Sequence, residues 1–351
     1  MTGRRSSAAR PWTGACAPGR VLAIRLQALG DVTITLPYLQ ALQRLHGRPE
    51  VDFLTLAEAS ELPRSIVLFR HVYALGGGRS VKQQLALALL AVPRLWVQGY
   101  DVVLDLQNNV VSRAVRTLLR PAAWSEFDRE SPRSAGERTR TTIEAAGFSL
   151  PQVEARLTLK TPDAVLDILR EAGWDESREL VVLSPAGAFP SRNWPLECYS
   201  TFAQKWRRRR PAQFAVLGLQ SISAKAEALR AKIGLDLLNL AGKTTASEAL
   251  AILQRARLIL SEDCGLMHMA WVSGVPTLAL FGSSRYDWSS PLGAHTLCLH
   301  SGDLPCGACM DRDCRFGDVR CLTRYTPDFV VEQGEALLAR APQVRLCHPV
   351  A

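Results

Sequence analysis

No stretch of this 351-residue chain stays apolar for the roughly 20 residues that a membrane-spanning helix needs; the longest run, residues 85–92, is far too short. Any membrane contact is therefore expected to be peripheral. The first 20 residues are rich in Arg, Ser, Ala, Gly and Pro and lack an apolar core, so they read as a disordered leader over residues 1–19, not as a secretory signal. Without secretion, the nine cysteines are expected as thiols or metal ligands. Aromatics are few, at 7%, and do not alternate with the basic residues, which argues against a stacking groove for nucleic acid. Short-period repeats are missing, and 24 Gly with 20 Pro are too few for a low-complexity chain.

What remains is a globular composition long enough for two domains of ordinary size. Net charge is +9, from 42 Lys and Arg against 33 Asp and Glu, which favours an anionic partner. Four consecutive arginines, Arg207 to Arg210, follow an amphipathic segment, where cations suit a helix end. Short apolar runs at residues 21–26, 51–56 and 102–106 read as buried parallel strands, with helical patterns at 81–96 and 111–119 between or after them. Leu36, Leu39, Leu42 and Leu45 keep to one helix face, with Pro37 expected in the first turn or two. The polar residues 125–142 interrupt the pattern. It resumes with strands at 180–184, 214–217, 258–260 and 277–280 and helices at 196–208, 224–233 and 266–273. A domain boundary is expected near residue 165, between two doubly wound α/β halves.

Ligands of open α/β sheets bind at the carboxyl ends of the strands. Four segments stand there. In the first, Gly30 allows a tight turn and Asp31 either caps the next helix or serves a site. In the second, residues 185–195 (PAGAFPSRNWP), Gly187 and Ala188 let backbone N–H groups approach an anion and Arg192 adds charge. The third, residues 261–268 (SEDCGLMH), couples Asp263 and Gly265 to His268 one turn into a helix. The fourth is Phe281-Gly282-Ser283-Ser284. Separately, Cys306, Cys309, Cys314 and Cys321 form C-x2-C-x4-C-x6-C in one loop. Such spacing offers four soft ligands to a structural Zn or Fe, or four small apolar groups to the core. Cys16, Cys198, Cys298 and Cys347 lack such spacing and are expected to be inert.

Taken in order, IRLQALGDVTITLPYLQAL, YDVVLDLQNN, SPAGAFPSRNWP, NLAGKTT and SEDCGLMHMAWVSGVPTLALFGSS resemble the ADP-heptose:lipopolysaccharide heptosyltransferases, glycosyltransferase family 9. The resemblance runs from about Val21 to Leu338. It implies an α/β GT-B fold of two Rossmann-like, doubly wound domains facing a central cleft: residues 20–165 for the acceptor and 166–351, with the cysteine loop 306–321, for the nucleotide sugar. It further implies an inverting transfer of heptose or a related sugar, from a donor such as ADP-heptose to a lipopolysaccharide-core or similar anionic saccharide acceptor, without a catalytic metal. The setting implied is cytoplasmic, at the inner face of the membrane, without nucleic acid. A protein glycosyltransferase of the same fold and a non-catalytic nucleotide-sugar-binding module are the alternatives.

By the same resemblance Asp31 is the general base and Arg192 steadies the departing diphosphate. Gly187, Ala188, Asp263, Cys264, Gly265, Leu266 and His268 contact the donor. Asp105, at another strand end, is expected to order its loop. Two departures stand out: Cys264 occupies a position usually held by a hydroxyl residue, and the segment after Gly218 lacks the Glu expected to hold the ribose.

Overall fold

The computed structural model describes residues 8–45 and 47–340; Cys347 and the first seven residues of the leader lie outside the described residues. Contacts divide the chain into two units, one ending at Lys160 and the other starting at Thr161.

In the first unit the apolar runs form β2 (Arg20–Arg25), β3 (Glu50–Leu56), β4 (Val72–Leu75), β5 (Val102–Asp105) and β6 (Ala123–Glu126), all parallel. Strand β1 (Ala9–Arg10) pairs antiparallel with β6. The helices are α1 (Leu29–Gln43), α2 (Glu61–Ser65), α3 (Val81–Trp96), α4 (Val110–Leu119) and α5 (Ala135–Ala145). The order across the sheet is β1-β6-β5-β2-β3-β4. From Val21 on, β2 is buried throughout, as a central strand covered on both faces must be.

Four expectations are corrected here. Part of the supposed leader is built into the sheet: besides the β1 pairing, the Trp12 N–H donates to the Ala146 carbonyl at 2.8 Å. The open backbone groups along the edge of β6 give residues 9–10 somewhere to pair, which composition does not reveal. Pro37 lies in the third turn of α1, where it has no N–H to offer Thr33. The helix tolerates this because every residue from Val32 to Leu42 is buried, and packing outweighs a defect of about 3 kcal/mol. Leu45 falls beyond the end of that helix. Finally, the polar stretch 125–142 does not break the pattern, since it holds the end of β6 and most of α5.

The second unit contains β7 (Glu179–Ser184), β8 (Ala212–Val216), β9 (Leu237–Asn239), β10 (Leu258–Glu262), β11 (Thr277–Leu280) and β12 (Thr296–Leu299). Its helices are α6 (Leu166–Glu171), α7 (Leu196–Arg209), α8 (Ser223–Ile233), α9 (Ala246–Arg255), α10 (Gly265–Trp271), α11 (Tyr286–Ser289), α12 (Arg320–Thr323) and α13 (Pro327–Arg340). The strands are parallel in the order β12-β11-β10-β7-β8-β9. Trp194, Tyr199, Phe202, Trp206 and Phe214 fill the core on one side of this sheet. The arginine run closes α7: Arg207 pairs with Asp236, Arg209 with Glu335, and Arg210 with Glu179 at 3.0 Å.

Both units reverse direction in the same way. In the first, the chain walks outward from β2 through β3 to β4, then returns to lay β5 on the other side of β2. In the second, β7, β8 and β9 run one way and β10 returns beside β7. At such a switch point two neighbouring loops leave the sheet in opposite directions and open a crevice at the strand ends. Asp31 and Asp105 follow or end β2 and β5; residues 185–195 and Asp263 follow β7 and β10.

Candidate functional site

In the second unit, the loop after β7 is held by one side chain from the end of β10. Glu262 accepts the Gly187 N–H on Oε2 at 2.7 Å and the Trp194 N–H on Oε1 at 2.6 Å, so a single carboxylate clasps both ends of the loop. Glu262 is fully buried, and burial pushes its pKa up to about 7 against the pull of the two N–H groups, Lys225 and Tyr199. Lys225 ties the loop from α8, donating to the Pro185 carbonyl at 3.1 Å and to the Asn193 amide oxygen. A side chain at position 187 would meet the Arg192 carbonyl at 2.4 Å, so the glycine is required by how tightly the loop folds back. Sequence reasoning gave Glu262 no role. The available signal was a carboxylate ending an apolar buried strand, a placement that is unfavourable without strong hydrogen-bond partners.

The clasped loop brings Arg192 to Asp263, with a guanidinium nitrogen 3.6 Å from Oδ2 and both side chains mostly buried. Arg192 also lies over the Phe189 ring. His268 is buried on α10, and its Nδ1 accepts the Trp271 indole N–H at 3.2 Å, which places the ring proton on Nε2. The thiol of Cys264 packs against the hydroxyls of Ser184 and Ser261 at 3.3 and 3.4 Å, at the ends of β7 and β10, and burial raises its pKa. Its hydrogen bonding is thus spent on the sheet. Gly265 opens α10 and Leu266 is buried behind it, whereas Ala188 is exposed at the loop tip.

The cysteine loop is knitted to the same segment. The Ser191 hydroxyl bonds that of Ser283 at 2.8 Å and donates to the Asp311 carbonyl at 2.5 Å, while the Met310 N–H donates to the Ser283 carbonyl. A side chain at position 282 would meet the Ser191 carbonyl at 2.3 Å. Cys306, Cys309, Cys314 and Cys321 line one cavity of about 30 Å³ beside these serines. Burial, and then the charge of the other three sulfurs, pushes the Cys321 thiol up to about 11. Four thiols around one small cavity suit a soft ion in donor type. Among the described residues, however, no group of three or more His, Cys, Asp or Glu side chains is arranged to hold one.

In the first unit, Asp31 occupies the third position of α1, whose N-cap is Ala28 and which has no side-chain cap, so the capping reading of Asp31 is set aside. Its Oδ1 accepts a 3.0 Å bond from Arg25, whose guanidinium is buried at the end of β2, donates to the Leu106 carbonyl and lies over Phe127. The Asp31 side chain itself remains 38% exposed. Asp105 is fully buried; its Oδ1 accepts the N–H groups of Gln107 and Asn108 at 3.2 and 2.7 Å, and burial raises its pKa. It orders the loop between β5 and α4.

A family model described as glycosyltransferase family 9 (heptosyltransferase) matches residues 134–320. The lipopolysaccharide heptosyltransferase 1 of Pseudomonas aeruginosa is 25% identical over 93% of this chain and 100% of its own length. Among solved structures, the glycosyl transferase family 9 protein of Veillonella parvula superimposes with a TM-score of 0.76 at 17% identity, over 92% of this chain and 97% of that one. The E. coli ADP-heptose lps heptosyltransferase II gives 0.73 at 19% identity, over 91% and 98%.

Proposed function

Because the chain belongs to glycosyltransferase family 9, with the GT-B fold of its structural relatives, we propose that it transfers heptose from ADP-heptose to a saccharide acceptor of the lipopolysaccharide core, with inversion at the anomeric carbon. The observation that carries the donor half of this reading is the pairing of Arg192 with Asp263 at the β7/β10 switch point, on a loop locked by Glu262. A diphosphate bound there meets the cation of Arg192, and the leaving group gains charge as the glycosidic bond breaks. The unit up to Lys160 takes the acceptor, where Asp31 receives the proton of the attacking hydroxyl. Among the described residues no helix is long and apolar enough to cross a membrane. The enzyme works from the cytoplasmic side on an acceptor presented at the membrane surface.

Thermal stabilisation tests the donor assignment. A ligand at a hundred times its Kd adds about 2.7 kcal/mol, which for a unit of this size raises Tm by on the order of 5 °C. ADP-heptose is expected to give that shift, and Asp263→Ala and His268→Ala to abolish most of it. Arg192→Ala is expected to lower turnover more than affinity, since its contact strengthens in the transition state. An undiminished shift in both of the first two variants would place the donor elsewhere.

The four-cysteine loop has the donor types for a structural Zn or Fe that would take no part in the transfer, but its thiols would have to draw together to hold one. Protein purified without chelators should carry about one such ion per chain, lost in Cys306→Ser/Cys309→Ser. Metal content near zero overturns this.

A further inference from the structure

Helix α3 sets a puzzle of its own. Only Gln84, Ala88 and Leu95 of its 16 residues are buried, a narrow stripe at helical spacing. A surface helix of this kind ordinarily fills its other face with charged and polar groups. Here that face is aliphatic and aromatic: Leu90 is 77% exposed, Trp96 67% and Val97 just beyond 82%, with Val81, Leu87 and Leu89 also open to solvent. Helix α4, packed against α3, exposes Val110 and Leu118.

The charges around this surface have one sign. Between Glu61 and Asp101 the sequence contains no Asp or Glu, while Arg79, Lys82 and Arg94 are exposed on or beside α3. Helix α4 likewise has no acidic residue; Arg113 is exposed on it and Arg120 just past its end. The nearest carboxylate to α4 among its ion pairs is Glu126, which is shared by Arg113 and Arg116.

We infer that the α3 face, continued by α4, is the surface on which the protein lies against an anionic lipid bilayer. An amphipathic helix sinks its apolar face to the level of the lipid headgroups, where an indole such as that of Trp96 is favoured. Cations flanking the apolar strip then meet the anionic headgroups. Charge selects this occupant over a second copy of the chain, because two such faces would set Arg79, Lys82 and Arg94 against their own copies, while Glu126 beside α4 is already held by Arg113 and Arg116. The helix is too short and too interrupted by cations to span, so it rests in the interface. The inference deepens the reading of a membrane-presented acceptor, yet its physical basis, an exposed apolar strip ringed by cations, stands without it.

The test is sedimentation of the full chain with vesicles of phosphatidylglycerol and phosphatidylethanolamine, compared with phosphatidylcholine alone. Wild type is expected to bind the anionic vesicles, more weakly as salt rises. Leu90→Asp/Val97→Asp, with folding confirmed by an unchanged Tm and an unchanged ADP-heptose shift, is expected to lower binding at least tenfold. A separate Lys82→Gln/Arg94→Gln variant should lose most of the preference for anionic lipid. No binding by wild type, or equal binding by both variants, overturns the inference. So does α3-dependent dimerisation in solution without vesicle binding, which would make the face a protein interface. Loss of the ADP-heptose shift in wild type would instead sink the proposed function and leave the vesicle result standing.

Discussion

Asp31→Asn is expected to cut turnover about a hundredfold or more while the ADP-heptose-induced rise in Tm stays at the wild-type value. An inverting displacement needs a group to take the acceptor proton. Asn keeps the size of Asp and the hydrogen bond from Arg25, but cannot take that proton. Asp31 is not the cap of α1, but its charge lies in the first turn and faces the buried Arg25, so the variant is expected to lose some stability and its Tm is measured before rates are compared. Arg25 fixes where the carboxylate points: it is buried, anchored on the Leu106 carbonyl, and 3.0 Å from Oδ1. Asp105 has no exposed surface from which to reach a hydroxyl, so it does not compete for the role. Steady-state rates on the folded variant decide the matter, and turnover within a few-fold of wild type would remove Asp31 from the chemistry.

Glu262→Gln is expected to weaken donor affinity about tenfold and to change its pH dependence. The amide can accept from one of the two backbone N–H groups, but presents its own N–H to the other. One buried donor is left without a partner, at about 1–3 kcal/mol. The pH effect has a definite sign. With a folded pKa of about 7 against 4.5 for the free side chain, the folded state binds more protons across that interval. This group therefore withdraws stability as pH rises from about 4.5 to 7, by on the order of 3 kcal/mol, and contributes no further change above that. Loop closure runs the other way, because the ionised carboxylate accepts both N–H groups more strongly than the acid, whose hydroxyl oxygen is a poor acceptor. Donor affinity should thus improve as pH rises through about 7 in wild type, and this step should be missing in Glu262→Gln. An identical affinity profile in the two proteins would mean the clasp does not govern the loop.

The parts legible in the sequence are those fixed by local pattern. Residues 277–280 and 81–96 appear as β11 and α3 with the expected ends, because a short apolar run after Pro276 and a long Ala- and Leu-rich run after Ser80, which tolerates Pro93 near its end, leave few alternatives. Strand β4 escaped notice because its residues alternate between buried and open, and β9 because three residues give no period. Helix α5 was hidden by polarity, though its start was written plainly: Ser134 and Glu137 form a reciprocal capping box. For the candidate site, strand-end position made Asp31, Arg192, Asp263 and His268 candidates, and the resemblance to glycosyltransferase family 9 supplied their roles. Glu262 was not legible, since its meaning depends on β10 lying beside β7, a pairing that local pattern does not announce.

The switch points also set an order of assembly. Val21 pairs with Val102 across the first sheet, and Val181 with Leu258 across the second, each spanning the longest loop between parallel neighbours in its unit. Closing a long loop is entropically unfavourable until the contacts it enables are made, so these central seams knit after the local β2-β3-β4 and β7-β8-β9 layers can form. Glu262 cannot reach Gly187 or Trp194 until the second seam is shut. The loop of residues 185–195 is consequently expected to be among the last features of the second unit to take shape, and a half-folded unit would hold part of the sheet with this loop still unclasped.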